Sequence, residues 1–283
     1  MSDERRVLVT GASSGIGEAC ALRLARAGWY VYAGVRATAD GERLREASGG
    51  GRLEPVRIDV TDPASIAAAA EWIGDVPLHG LVNNAGVALA MPLEFLPLDE
   101  LRRQLEVNVV GQVAVTQAFL PQLRSAPGRI VFVGSIGGRS ALPFLGAYAA
   151  SKHALEAVSD ALRVELRPFG IAVTIVEPGT IATEIWRKSG ELFQQLAAGL
   201  PGELMELYGA RMTAFRDAAA AAGRRAEPAD GVAVVVERAL TAQRPRVRYL
   251  VGRDARRRAR VERLPARLRD RVYERVLLRS KAP

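Results

Sequence analysis

The stretch Val7-Leu8-Val9-Thr10-Gly11-Ala12-Ser13-Ser14-Gly15-Ile16-Gly17 joins a short β-branched run to a helical one through a turn carrying three glycines. Glycines serve such a turn because the backbone has to bend sharply and approach a pyrophosphate, while the following helix N-terminus offers free N–H groups and partial positive charge. A glycine-rich turn alone is weak evidence. Its place between the first strand and the first helix makes it a candidate nucleotide cradle.

Outward from that turn, β-branched runs alternate with segments of helical period. Strands are expected at 7–10, 29–35, 53–58, 79–83, 129–134, 171–177 and 247–251, and helices at 16–27, 40–47, 63–72, 101–123, 148–168 and 229–242. Alternation of this kind, with nearly continuous apolar strands, predicts an α/β fold: a single Rossmann-type domain, its doubly wound parallel sheet covered by helices on both faces. Ligands then sit at the carboxyl ends of the strands. Residues 180–226 interrupt the rhythm with Trp186, Phe193, Leu196, Met205 and Tyr208 among many apolar positions. So long and apolar a connection reads as a helical substrate-binding or lid segment, not a solvated loop.

The chain has 283 residues, 39 Lys+Arg and 31 Asp+Glu, a net charge of +8 that at first suggests nucleic acid. The charge is localised. Residues 244–283 hold 15 basic and 4 acidic residues, net +11, which leaves 24 basic and 27 acidic in 1–243, net −3. Residues 253–283 contain one aromatic, Tyr273, and no recognition motif, so nucleic acid is not an expected partner. Leu264, Leu268, Val272 and Val276 recur at i+4, with Arg267, Arg269, Arg271 and Arg275 off that row. This predicts a basic amphipathic helical tail beyond a catalytic domain of residues 1–252, suited to an anionic membrane surface or a partner subunit. With Cys20 as lone cysteine, no secretory leader and no membrane span in the sequence, the expected location is cytoplasmic, with peripheral membrane contact as an addition. His79 and His153 lie far from metal-ligand spacing, and no metal site is expected.

Cofactor choice is read at the end of the second strand. There Val35 occupies the place of the carboxylate that would bond the ribose of NAD, and Arg36 follows it, which favours NADP(H) over NAD(H). Asp59 and Val60, after the third strand, and Asn84, Ala85 and Gly86, after the fourth, stand on the same ligand edge. Ser135 closes the fifth strand, and 13 residues later comes Tyr148-Ala149-Ala150-Ser151-Lys152. At i and i+4 a helix brings Tyr148 and Lys152 to one face, where an ammonium would pull the phenol towards neutrality. The pairing is informative because the chain has only three lysines, Lys152, Lys188 and Lys281.

These motifs closely resemble the short-chain dehydrogenase/reductase family: TGxxxGxG at Thr10–Gly17, NNAG at Asn83–Gly86, Asn108, Ser135, YxxxK at Tyr148–Lys152, and Pro178-Gly179 followed by Thr183. More narrowly, Val31–Arg36 and the apolar 180–226 segment resemble the hydroxysteroid and retinol dehydrogenase branch. The resemblance implies Tyr148 as general acid/base and Lys152 as its partner and ribose ligand. It makes Ser135 the group that orients the substrate oxygen, and Asn108 the holder of a relay water. Gly11, Ser13, Ser14, Gly15, Ile16, Gly17, Arg36, Asp59, Val60, Asn84, Ala85, Gly86, Tyr148, Lys152, Pro178, Gly179, Ile181 and Thr183 would contact the cofactor. It further implies a lipophilic alcohol, ketone or aldehyde as substrate and a homodimer or homotetramer through helices 101–123 and 148–168. A dinucleotide-binding sensor or scaffold without turnover is the alternative, disfavoured by the full Asn108/Ser135/Tyr148/Lys152 set.

Overall fold

The computed structural model describes residues 4–278 apart from 198, 200 and 201. Among the described residues, β1 (Arg6–Val9), α1 (Gly15–Arg26), β2 (Tyr30–Val35), α2 (Thr38–Ala47), β3 (Leu53–Arg57), α3 (Pro63–Ile73) and β4 (Gly80–Asn83) make the first half. The second half runs α4 (Leu98–Leu105), α5 (Gly111–Arg124), β5 (Arg129–Val133), α6 (Gly146–Glu165), β6 (Ala172–Pro178), α7 (Ile185–Ala197), α8 (Glu203–Gly223), α9 (Ala229–Thr241) and β7 (Arg248–Val251). Helices α10 (Arg253–Val261) and α11 (Ala266–Tyr273) follow.

All seven strands are parallel, in the order β3-β2-β1-β4-β5-β6-β7. The expected doubly wound sheet is therefore present, and its order reverses between β1 and β4, where a ligand crevice opens. Side chains alternate across the pleat. Val7 and Val9 enter one core with Leu24, Trp29 and Val236 beneath α1 and α9. Leu8 enters the other with Phe119, Phe132 and Leu155 beneath α5 and α6. Burial on both faces explains why the strands read as unbroken apolar runs. Cys20 points into the first core and burial pushes its thiol up to about 12, which makes it an inert packing residue.

The helix expected over 101–123 is interrupted. Between α4 and α5 the residues Glu106–Val110 form a π-helical turn, closed by the Gly111 N–H bonding the Glu106 carbonyl. That widened turn carries Asn108, fully buried, into the protein. Among the described residues, the 180–226 segment is helical as expected over α7 and α8, with Leu192, Phe193 and Leu196 of α7 packed on Leu89, Met91 and Leu96. The Ala218–Ala222 run lies inside α8.

The tail differs from the uninterrupted amphipathic helix read from its i+4 row. Pro265 caps the start of a second helix, so Leu264 falls in the turn between α10 and α11. Nor does the tail hang free. Ala255 and Tyr273 are buried against the body, and residues 274–278 pack on α8. Leu264, Leu268, Val272 and Val276 remain exposed.

Candidate active site

The carboxyl ends of the strands open into one cleft of about 880 Å³. All the expected site residues line it except Gly17 and Asn108, which lie directly behind its wall. At one end, Gly11 and Gly15 adopt positive φ, 63° and 59°, and no side chain caps the N-terminus of α1. A Cβ on Gly17 would stand 2.1 Å from the Gly11 carbonyl oxygen, so only glycine lets the helix begin so close to the turn. Asn84 donates from Nδ2 to the carbonyls of Thr10 (3.0 Å) and Gly11 (3.1 Å), while Thr10 Oγ1 accepts from Asn84 N (3.0 Å) and Ala85 N (3.2 Å). The NNAG turn thus holds the glycine turn open from below. This cradle of uncapped amides fits the diphosphate of a dinucleotide.

Arg36 is exposed on the cleft wall, near Asp59. The Thr61 N–H, more than any other group, holds the Asp59 carboxyl below its usual range, helped by the Thr61 hydroxyl and the Arg36 charge. A residue without any sequence signal, Arg43, donates to the Ser13 carbonyl at 2.6 Å and pairs with Glu18 at 2.5 Å beside the cradle. No motif marks it, because only the fold brings α2 to the glycine turn.

At the other end Ser135, Tyr148 and Lys152 converge. Ser135 Oγ accepts from the Gly137 N–H (3.0 Å), which leaves its own proton free to donate, and its side chain acts to lower the pKa of the Tyr148 phenol. Tyr148, in the first turn of α6, is 8% exposed and meets the Trp186 ring edge-on at 5.8 Å. Lys152 is buried, donates to the Val133 carbonyl at 2.9 Å, and lies 5.9 Å from the centre of the Tyr148 ring. Burial raises the Tyr148 phenol above its ordinary range, against the opposing effects of Ser135 and Arg258. The same burial pulls Lys152 down to about 8, with Glu156 acting the other way. The sequence expectation of a phenol drawn towards neutrality is therefore reversed here: desolvation of the phenolate outweighs the Ser135 side chain and the Arg258 charge.

Asn108 uses both amide hydrogens, on the Val87 carbonyl and Ser151 Oγ (each 2.9 Å), and accepts from the Val87 N–H at 2.8 Å. It ties the loop after NNAG to α6, and Oδ1 accepts one bond of the two it can take. Of the expected lid side chains, Trp186 lines the cleft beside Ile185 and Leu192. Phe193 and Leu196 pack on the 89–96 segment, Met205 is exposed, and Tyr208 contacts Phe95 and Phe144 and donates to Glu94 at 2.6 Å. Gln104, on the cleft wall, is a second residue without a sequence signal: its Oε1 accepts from the Leu89 N–H at 3.1 Å, and its buried Nε2 has no partner among the described residues.

The chain matches the family model for short chain dehydrogenase over residues 5–192 and belongs to that family. It is an oxidoreductase acting on CH–OH groups, in the hydroxysteroid and retinol dehydrogenase branch. It is 40% identical to 17-beta-hydroxysteroid dehydrogenase type 6 of Bos taurus, with 89% of this chain and 82% of that protein covered. Retinol dehydrogenase 5 of Mus musculus is 38% identical, with coverage of 88% and 81%. Among solved structures, a short chain dehydrogenase from Burkholderia cenocepacia in complex with NADP is 30% identical, with a TM-score of 0.72 and coverage of 98% and 99%.

The depressed Lys152 gives a stability signature. In the folded protein Lys152 loses its proton near pH 8, whereas in the unfolded chain it keeps it to about 10.4. The unfolded state binds more protons between those values, so stability rises with pH there. Wild type should gain on Lys152→Met as pH rises from about 8 to about 10 in denaturant titrations; a constant difference would contradict the buried ammonium.

Proposed function

We propose that the protein transfers hydride between NADP(H) and a lipophilic secondary alcohol or ketone, or an aldehyde, with a steroid- or retinoid-like skeleton. The observation that carries this reading is a single cleft with an amide cradle and Arg36 at one end and Ser135, Tyr148 and Lys152 at the other. When bound, the nicotinamide supplies or accepts the hydride. Ser135 orients the substrate oxygen, and the Tyr148 phenol, kept protonated by burial, gives its proton to a carbonyl and recovers it from an alcohol. Lys152 holds positive charge beside that exchange. Trp186, Leu192 and Leu89 supply apolar walls for the skeleton, which accords with the substrates named by the steroid and retinol relatives.

Tyr148→Phe should lower turnover of a 17β-hydroxysteroid or all-trans-retinol by at least about a hundredfold, with NADPH affinity within about twofold. Turnover that survives the substitution removes Tyr148 from the chemistry. Arg36 is assigned to the 2′-phosphate, because a guanidinium matches a phosphate in shape and charge. Arg36→Asp should weaken NADPH by about tenfold or more, on the order of 1.4 kcal/mol, and leave NADH nearly unchanged; equal losses would defeat the assignment.

No helix among the described residues is long and apolar enough to cross a membrane. The exposed side chains of Leu264, Leu268, Val272 and Val276, among exposed Arg267, Arg271 and Arg275, support peripheral contact with anionic lipid by an otherwise cytoplasmic enzyme. Leu268→Glu with Val272→Glu should abolish sedimentation with phosphatidylserine vesicles; undiminished sedimentation would refute the contact.

A further inference from the structure

The basic segment reaches the catalytic site from behind. At i and i+4 on α10, Asp254 and Arg258 share one helix face, and each grips a loop that carries site residues. Asp254 Oδ2 accepts from the Thr180 N–H at 2.6 Å, directly after Pro178-Gly179. The approach is so close that a Cβ on Gly179 would lie 2.0 Å from Asp254 Oδ1. The same loop is pinned by Gly179 N to the Val251 carbonyl (2.9 Å), and by Glu227, which receives the Ala182 N–H on its carbonyl (3.0 Å) and the Arg253 N–H on its carboxylate (3.1 Å).

Arg258 acts on the other wall. Its Nη2 donates to Ser140 Oγ at 3.0 Å and to the Ser140 carbonyl at 3.1 Å, and Nε to Ser140 Oγ at 3.2 Å. Ser140 ends the turn that starts at Ser135; its N–H bonds the Ile136 carbonyl at 3.0 Å. Tyr273 closes the arrangement, its hydroxyl 2.8 Å from Ser140 Oγ and bonded to Glu262. Tyr273, Asp254, Tyr148 and Glu262 act electrostatically on Arg258, and Lys152 stands 5.9 Å from the centre of the Tyr148 ring.

We propose that α10 is a positioning element of the active site: Asp254 fixes the Pro178–Thr183 loop for the nicotinamide end of the cofactor, and Arg258, through Ser140, fixes the turn that carries Ser135. This rests on the assignment of Tyr148 as acid/base. An arginine from the part of the chain that reads as a charged appendage thus braces the turn that carries Ser135.

The test uses full-length protein and two pairs of variants. Asp254→Ala should raise the Kd for NADPH at least about fivefold, and Asp254→Asn, which keeps an acceptor for the Thr180 N–H, should restore it to within about twofold. Arg258→Met removes the donors to Ser140. It should lower kcat for oxidation of a 17β-hydroxysteroid, or of all-trans-retinol, at least about fivefold with NADPH affinity within about twofold, and Arg258→Lys, which keeps a donor, should recover most of that loss. Unchanged NADPH affinity in Asp254→Ala overturns the proposal, as does an unchanged kcat in Arg258→Met or an equal loss in Arg258→Lys. Where Arg258→Met does not fold or neither probe is turned over, the NADPH measurement decides alone. Active Tyr148→Phe would refute the acid/base assignment, whereas inactive Tyr148→Phe with an unchanged kcat in Arg258→Met would refute only the role of α10.

Discussion

The site depends on one constraint, the approach of α1 to the turn before it. With a hydrogen at Gly17 the helix begins against the Gly11 carbonyl and its first amides face the cleft; any side chain there would push the helix off. The consequence spreads through hydrogen bonds. Asn84 can bridge Thr10 and Gly11 only in that geometry, and Asn84 belongs to the NNAG turn whose continuation, at Val87, is gripped by Asn108. Asn108 in turn reaches Ser151 in α6, the helix that carries Tyr148 and Lys152. A backbone contact after β1 is thereby linked to that helix through two asparagines.

Much of this was legible in the sequence because each signal is local. Glycines at fixed offsets, a Tyr and a Lys one helical turn apart, and apolar strand runs identify themselves without knowledge of the fold. The parts not legible are those produced by packing. Nothing in the composition of Glu106–Gly111 announces a π-turn, and its first residue is an ordinary helix former. Arg43, Gln104 and Arg258 likewise look like ordinary surface residues, because the groups they bond are brought to them only by the fold.

The state of the phenol is hidden from the sequence for a related reason. Spacing shows that Lys152 can stand beside Tyr148, but says nothing of how little water reaches either. Burial is a property of the assembled walls, Trp186 from α7, the Ser135 turn and α6 itself, and it acts on both groups in opposite senses.

Those opposite senses order the proposed chemistry. In water a phenol and an ammonium release protons at similar pH, about 10 to 10.4. In the cleft the phenol holds its proton more tightly and Lys152 less so, down to about 8, so the first proton to leave is that of Lys152. Near neutrality the pair is therefore a neutral phenol beside an ammonium, a state ready to donate to a carbonyl oxygen. The reverse direction needs the phenolate, and for that each added positive charge or hydrogen-bond donor counts: the Ser135 hydroxyl and Arg258 both act in that sense. Burial among the walls of the cleft sets the phenol in its donating form, and the Ser135 hydroxyl and Arg258 limit how far it is held there.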